Sequence, residues 1–153
     1  MVTLSRYGEL RRNRKGVYVV KTIPSGIYYV GKSSNIDRRI EDHKFGDGAR
    51  CILSNSSICE LSPITEGNIY DMESWERNET LELMRRYGIT QVRGWMFTST
   101  ILSDQEIESA FRQICEKFDL CRKCGSKSHF ADECRNSFRV VWAGNKRIQN
   151  TIK

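Results

Sequence analysis

The stretch CRKCGSKSHFADEC constrains this chain most tightly, because it sets three thiols and one imidazole at the spacing Cys121-x2-Cys124-x4-His129-x4-Cys134. Three thiolates and one imidazole satisfy a tetrahedral structural Zn²⁺. The x2 spacing lets Cys121 and Cys124 hold one side of the ion from a tight turn. Gly125 stands where the chain must bend so that backbone amides approach the sulfurs. The x4 arms bring His129 and Cys134 to the other side. Four protein ligands leave no open coordination position, so zinc here is expected to be structural, not catalytic. Three of the six cysteines fall in this short stretch, and the N-terminal MVTLSRYGELRRNRK has no apolar core of secretory-leader length. Metal binding is therefore favoured over a disulfide framework, and an intracellular chain over a secreted one.

The totals bound the class. A chain of 153 residues suffices for one ordinary domain with a small appendage. Hydrophobic content of 39% beside 29% charged residues suits a globular rather than a disordered chain. No apolar run is long enough to span a bilayer, so no membrane is expected as a partner. The formal net charge of +6 favours polyanions. Arg11, Arg12, Arg14 and Lys15 form one basic block, and Lys146 and Arg147 another.

Along the chain, residues 1–15 read as a basic arm, loose for lack of any apolar pattern. Val17 to Lys21 alternates and is β-branched, which predicts a strand. Pro24-Ser25-Gly26 is a turn, and Ile27 to Gly31 a second strand, closing a β-hairpin. Ser33-Ser34-Asn35 offers N-caps for a helix over 36–43. A third strand is expected within 50–64. Met72 to Tyr87 reads as a helix from the spacing of Trp75, Leu81 or Leu83, Met84 and Tyr87, with Gly88 as its C-cap. Residues 91–98 are strand or loop. Ser103 and Glu106 form a capping box for a helix over 104–118, whose apolar stripe is Ile107, Ala110, Phe111, Ile114 and Phe118. The expected fold class is α+β: a small mixed sheet, made of the hairpin and a third strand, flanked by helices and closed by a zinc-stapled C-terminal segment. The expected divisions are an arm (1–15), a main domain (16–100), a helix (101–120), the zinc segment (121–134) and a basic tail (135–153).

Two short fragments carry the chemistry. Residues 16–18 read GVY and residues 29–31 read YVG. The pair resembles the name motif of the GIY-YIG nuclease superfamily, with Val17 and Val30 in place of isoleucine. Arg39 and His43, in NIDRRIEDH, are spaced i and i+4 and so share a helix face. The resemblance implies that Arg39 and His43 are catalytic. Arg38 is turned roughly 100° away on the same helix and is the better candidate for a phosphate contact or a solvated face. The resemblance also implies a metal-binding glutamate on a later helix. Glu79 is the candidate, flanked at i−3 and i+3 by Glu76 and Glu82, which compete with it. The segment leading to VRG is similar to a version of the family seen in large DNA viruses and phage-like elements, with Trp95 in place of a second glycine. Many members carry an asparagine after the glutamate helix. QVRGWMF has none, and Arg93 is the residue expected to take a phosphate contact there.

These residue types suit phosphodiester hydrolysis. A carboxylate, Glu79, would hold Mg²⁺ or Mn²⁺. Arg39 would fork onto the phosphate. The resemblance gives Tyr18 the role of taking or relaying the proton of the attacking water. A free tyrosine titrates near 10, so a phenolate there would need Lys32, Arg39 or a metal to lower it. Tyr29 would orient water or phosphate, and His43 would be a second proton handler or phosphate donor. Tyr28, on the opposite face from Tyr29, is read as packing. Gly16 and Gly31 are read as space that brings the hairpin close to a phosphate backbone.

The zinc stretch is similar to the CCHC knuckle of retroviral nucleocapsid and related single-strand-binding proteins. Arg122 stands where an aromatic often follows the first cysteine, and Ser128 where a glycine commonly precedes the histidine. That resemblance implies contact with single-stranded nucleic acid, with Phe130 either stacking on a base or covering the metal. Docking the last helix is the competing role. The leading expectation is a divalent-metal-dependent DNA endonuclease acting on duplex, branched or nicked DNA, in repair, recombination, element mobility or viral genome processing, with Lys32, Arg38, Arg93, Arg11 and Arg12 as nucleic-acid contacts. The alternatives are a catalytically inactive nucleic-acid-binding module and, more weakly, a zinc-stapled scaffold for protein.

Overall fold

The computed structural model describes residues 2–4, 10–12, 15–23, 26–39, 57–66 and 71–148. The fold is α+β. Strands β3 (Gly16–Ile23) and β4 (Tyr28–Ser33) form the expected hairpin, and β5 (Ser57–Glu66) supplies the third strand. A short β6 (Val92–Gly94), left open between strand and loop in the sequence, adds a fourth. The sheet order is β5-β3-β4-β6, antiparallel except for the β4–β6 pair, which makes it mixed. β5 lies at the edge, and its ladder with β3 is irregular between Val17 and Val19. Pro63, which has no amide to give a ladder, falls in that irregular stretch of β5.

The N-terminal arm is not wholly loose. β1 (Val2–Leu4) and β2 (Leu10–Arg12) pair antiparallel as a separate two-stranded ladder. Val, Thr and Leu at those positions favour extended backbone, a signal outweighed in the sequence by the surrounding charge. Arg11 and Arg12 lie on β2, opposite Thr3 and Val2.

Helix α1 (Met72–Tyr87) and helix α2 (Asp104–Phe118) occupy the expected spans. Glu73 in the first turn of α1 and Arg85 and Arg86 in its last suit the helix dipole. Gly88, at φ +111°, ends α1 by donating its amide to the Met84 carbonyl at 2.8 Å. The capping box of α2 is present: Ser103 Oγ accepts from the Glu106 amide at 3.1 Å, and Glu106 Oε1 accepts from the Ser103 amide at 2.9 Å. Among the described residues no helix is long and apolar enough to cross a membrane.

The chain forms two compact units, and the division falls inside α1. The first comprises residues 1–80 and 92–101, the second residues 81–91 and 102–153. Val17, Val20, Val30, Ile36, Val92 and Phe97 fill the core of the first. Leu81, Met84, Ile89, Ala110, Phe111 and Ile114 fill that of the second. The stripe expected on α2 is thus buried at its centre, while Ile107 and Phe118 at its ends are only half-buried.

Candidate active site and metal centre

The β3–β4 register builds the site. Tyr18 pairs with Gly31 and Val20 with Tyr29, so both tyrosines project from one face of the hairpin on diagonal positions. Their ring centroids lie 6.4 Å apart at 52°. Tyr28 points to the other face, where the Lys21 ammonium sits 5.2 Å from its ring centroid, in keeping with a packing role. Gly31 makes room for a neighbour in its own sheet. A Cβ at position 31 would stand 2.5 Å from both Cζ and Oη of Tyr18. The glycine expected to bring the hairpin near a phosphate therefore frees space for the phenol. Gly31→Ala should displace the Tyr18 ring, cost about 1–3 kcal/mol in overpacking and lower any cleavage rate roughly 10²-fold. Thermal melting and a cleavage assay check the two effects separately.

Asn35 starts the next element. Its Oδ1 accepts from the Arg38 amide at 3.2 Å, and its carbonyl accepts from the Arg39 amide at 3.1 Å, which opens a helix at residues 36–39. Arg38 is exposed, and Arg39 is half-buried and hydrogen-bonds the Tyr18 side chain. His43 lies outside the described residues.

Tyr18, Tyr29, Lys32, Arg39, Glu73 and Glu76 line one open cleft of about 450 Å³, with Trp95 and Met96 at its side. Glu79 does not line this cleft; Glu76, one turn earlier on α1, does. Glu76 is buried in the register of Met72 and Thr80 on α1, and its carbonyl accepts a 2.7 Å hydrogen bond from Thr80 Oγ1. Burial pushes its carboxyl above the usual glutamate value, with Glu73 adding to the rise and Lys32 opposing it. Tyr18 is 1% exposed. Burial holds its phenol well above its ordinary value, Tyr29 adds to this, and Arg39 acts in the opposite direction without overcoming it. Tyr18 is thus a neutral phenol and not a resting phenolate.

Arg93, expected to contact phosphate, has its guanidinium engaged inside the protein. It is buried and donates from Nε to the Ser99 carbonyl at 2.8 Å, and from its terminal nitrogens to the carbonyls of Thr100 and Val92, both at 3.1 Å. A guanidinium with several donors is the side chain best able to tie a loop of otherwise unsatisfied carbonyls, and it is spent there. Trp95, read from the sequence only as a replacement for a glycine, lines the cleft. It occupies the first position of a two-residue turn closed by Gly94 and Phe97, at φ +50°, where glycine is favoured. Phe97 meets its ring edge-on at 5.8 Å, and the Arg77 guanidinium lies 5.3 Å from its centroid.

Residues 14–81 match the GIY-YIG catalytic domain. The match takes in β3, β4, β5 and the part of α1 that carries Glu73, Glu76 and Glu79. It ends before Trp95 and Met96, and before the whole zinc segment. A GIY-YIG catalytic domain implies a nuclease, and a nuclease implies nucleic acid as substrate. No curated protein and no solved structure matches the chain.

In the second unit, the ligand atoms of Cys121, Cys124, His129 and Cys134 all lie within 4.8 Å of one another. Tetrahedral zinc spaces such atoms roughly 3.5–3.8 Å apart. The 3.4 Å between Cys124 Sγ and His129 Nε2 agrees with that, so the cluster fits a zinc site. Its support is local. The Ser126 amide and Asn136 Nδ2 both donate to Cys124 Sγ at 3.4 Å. Ser128 Oγ lies 2.9 Å from His129 Nδ1, which fixes the ring with Nε2 toward the thiolates. Ser128 thus does orienting work that a glycine could not. Cys115 is no ligand: its Sγ donates to the Cys121 carbonyl at 3.4 Å, and burial pushes its thiol up to about 12.

The tail folds onto the zinc turn. The Val140 amide donates to the Cys124 carbonyl at 2.8 Å, and Trp142 stacks on Phe111 of α2 at 5.7 Å. Gly125, at φ +87°, lies beneath Trp142 and Val140, each 2.9 Å from where a Cβ would be. The Cys/His cluster is thereby tied to the core of its own unit. Phe130 is 59% exposed.

Proposed function

We propose that the chain is a divalent-metal-dependent endonuclease that hydrolyses DNA phosphodiester bonds in the β3–β4–α1 cleft. The observation that carries this reading is the convergence of two phenols, a guanidinium, an ammonium and a buried carboxylate on one open cleft within the matched domain. Glu76, with Glu73 beside it, would hold Mg²⁺ or Mn²⁺. Hard oxygen donors suit such an ion, and it would supply charge stabilisation at the phosphate oxygens. Arg39 forks onto the scissile phosphate. Tyr29 and Lys32 hold the remaining oxygens. Tyr18, as a neutral phenol, relays: as the water oxygen bonds to phosphorus, it accepts the water's proton and donates its own to a phosphate oxygen, that proton passes to the departing ester oxygen as its P–O bond breaks, and Tyr18 ends unchanged. Trp95 and Met96 offer an apolar lip on which a base beside the scissile bond rests. Support for Glu76 over Glu79 comes from its place in the cleft and its burial.

The test is incubation of plasmid and of labelled duplex, branched, nicked and single-stranded DNA with the zinc-loaded protein, with and without added Mg²⁺ or Mn²⁺. Metal-dependent cleavage of at least one substrate is expected. No cleavage of any would overturn the reading in favour of a nucleic-acid-binding module. Acid dependence gives a second check. Glu76 must be ionised to hold a cation, and its carboxyl is raised by burial. At subsaturating Mg²⁺ the acid limb of the rate profile is therefore expected above the ordinary value of 4.5. A limb at or below 4.5 would exclude Glu76 as the metal-holding group.

A further inference from the structure

The second unit carries a basic concavity that the nuclease reading does not use. A pocket of about 240 Å³ is lined by Glu108, Arg122, Lys123, Arg139, Lys146 and Arg147: five cations against one carboxylate. They come from three separate stretches. Glu108 is on α2, Arg122 and Lys123 lie between the first two zinc ligands, and Arg139, Lys146 and Arg147 belong to the tail.

The backbone beneath these cations is held. The tail closes on itself through the Arg139 amide to the Lys146 carbonyl and the Ile148 amide to the Ser137 carbonyl, both at 2.8 Å. The Val140 amide ties it to Cys124. Glu108 organises two of the cations. It accepts both terminal nitrogens of Arg139, one of them at 3.1 Å, and lies 3.5 Å from Lys146. Arg139's hydrogen bond keeps the Glu108 carboxyl below its usual range, so it remains ionised. Arg122, Lys123 and Arg147 form no ion pair among the described residues. Like charges gathered in one hollow repel, and an anion entering it relieves that repulsion. The Arg147 guanidinium also lies 5.9 Å from the ring centroid of Phe138, which is 48% exposed beside the pocket. Cations with a neighbouring exposed aromatic suit a phosphodiester backbone carrying bases.

We propose that this pocket grips the phosphodiester backbone of nucleic acid at a point other than the scissile bond, through Arg122, Lys123, Lys146 and Arg147. The choice of nucleic acid as the polyanion rests on the nuclease reading. Two contacts on one strand raise overall affinity through effective concentration, and a pocket built on held backbone loses little entropy on binding.

The test measures fluorescence anisotropy of labelled duplex and single-stranded oligonucleotides with the full, zinc-loaded chain, without added magnesium, over a salt series. For Arg122→Ala/Lys123→Ala/Arg147→Ala, Kd should rise at least about tenfold near 0.1 M salt, and the slope of log K against log salt should fall by about 2–3. Lys146→Gln/Arg147→Gln, which leaves the zinc turn untouched, should lower the slope by about 1–2. Zinc content and Trp142 fluorescence report that the unit stays folded. Wild-type Kd and slope in the tail variant, with zinc retained, would overturn the proposal. So would loss of binding to phosphatidylcholine vesicles containing phosphatidylserine with DNA affinity unchanged, which would assign the pocket to a membrane surface. These readings are independent of cleavage: an inert Mg²⁺ assay with intact, pocket-dependent DNA binding would sink the nuclease reading alone.

Discussion

Glu76→Gln should abolish metal-dependent cleavage, by about 10³-fold or more, on the order of 4 kcal/mol of transition-state stabilisation. Glu79→Gln should cut within a few-fold of wild type. Both glutamates are on α1, three residues apart, and differ in where that places them. Glu76 lines the cleft with Tyr18 and Arg39 and is buried, whereas Glu79 is half-buried and does not reach it. The two variants differ in stability as well. Glu76 has a raised folded-state value, so at pH between the unfolded and folded values the native state binds more protons than the unfolded chain. Stability then falls as pH rises through that window, and the cost of the buried charge is fully present at neutral pH. Glu76→Gln should therefore be more stable than wild type at neutral pH by about 0.5–2 kcal/mol, and melt at a correspondingly higher temperature, while being inactive. Plasmid nicking and thermal melts on the same preparations measure both. Full activity in Glu76→Gln would remove this carboxylate from the chemistry.

Loss of zinc should have the largest effect on folding. Apparent binding energies for structural zinc in small domains are about 10–16 kcal/mol at neutral pH. A metal held by the four ligands would fix the turn that holds Cys124, and that turn accepts the Val140 amide and seats Gly125 under Trp142. Cys124→Ser, or a strong chelator, should free the tail and lift Trp142 from Phe111. The expected observations are loss of one zinc per chain, a shift of Trp142 emission and rapid proteolysis after α2. Trp142→Phe serves as the emission control, because Trp75 and Trp95 belong to the other unit. A zinc-free chain with unchanged protease resistance and emission would show that the four ligands are not a structural staple.

How much of this was legible depended on the range of the interaction. The two helices could be read because their signals are local: the Ser103–Glu106 capping box, the Gly88 cap and the apolar stripe of α2 all act within a turn or two. The tyrosine hairpin followed from alternation and its flanking turn. The choice among α1 glutamates did not. Glu73, Glu76, Glu79 and Glu82 recur every third residue, so at 100° per residue they spiral around the helix, and spacing alone ranks none of them. A usable signal did exist. Glu76 falls in the Met72, Thr80, Leu83 and Met84 register, a carboxylate inside an otherwise buried stripe.

Arg93 shows the converse. Its sequence context, a basic residue where the family resemblance leads one to look for an asparagine, points to a phosphate contact, yet the carbonyls of Ser99 and Thr100 engage it. Nothing local announces that a loop several residues away will fold back. The parallel pairing of β6 with β4 is likewise invisible locally, since three residues carry too little periodicity to call a strand, let alone a partner.

From the amino-acid order alone came the zinc quartet, the hairpin with its paired phenols and the extents of α1 and α2, each set by contacts between near neighbours in the chain. Tertiary structure alone decided that Glu76 and not Glu79 faces those phenols, that Gly31 clears space for the Tyr18 ring, that Arg93 is an internal tie, and that cations from two stretches meet a carboxylate from a third in one hollow. Each of those outcomes turns on which distant backbone comes to lie within a few ångströms, and packing between separate elements settles that, not the pattern within any one of them.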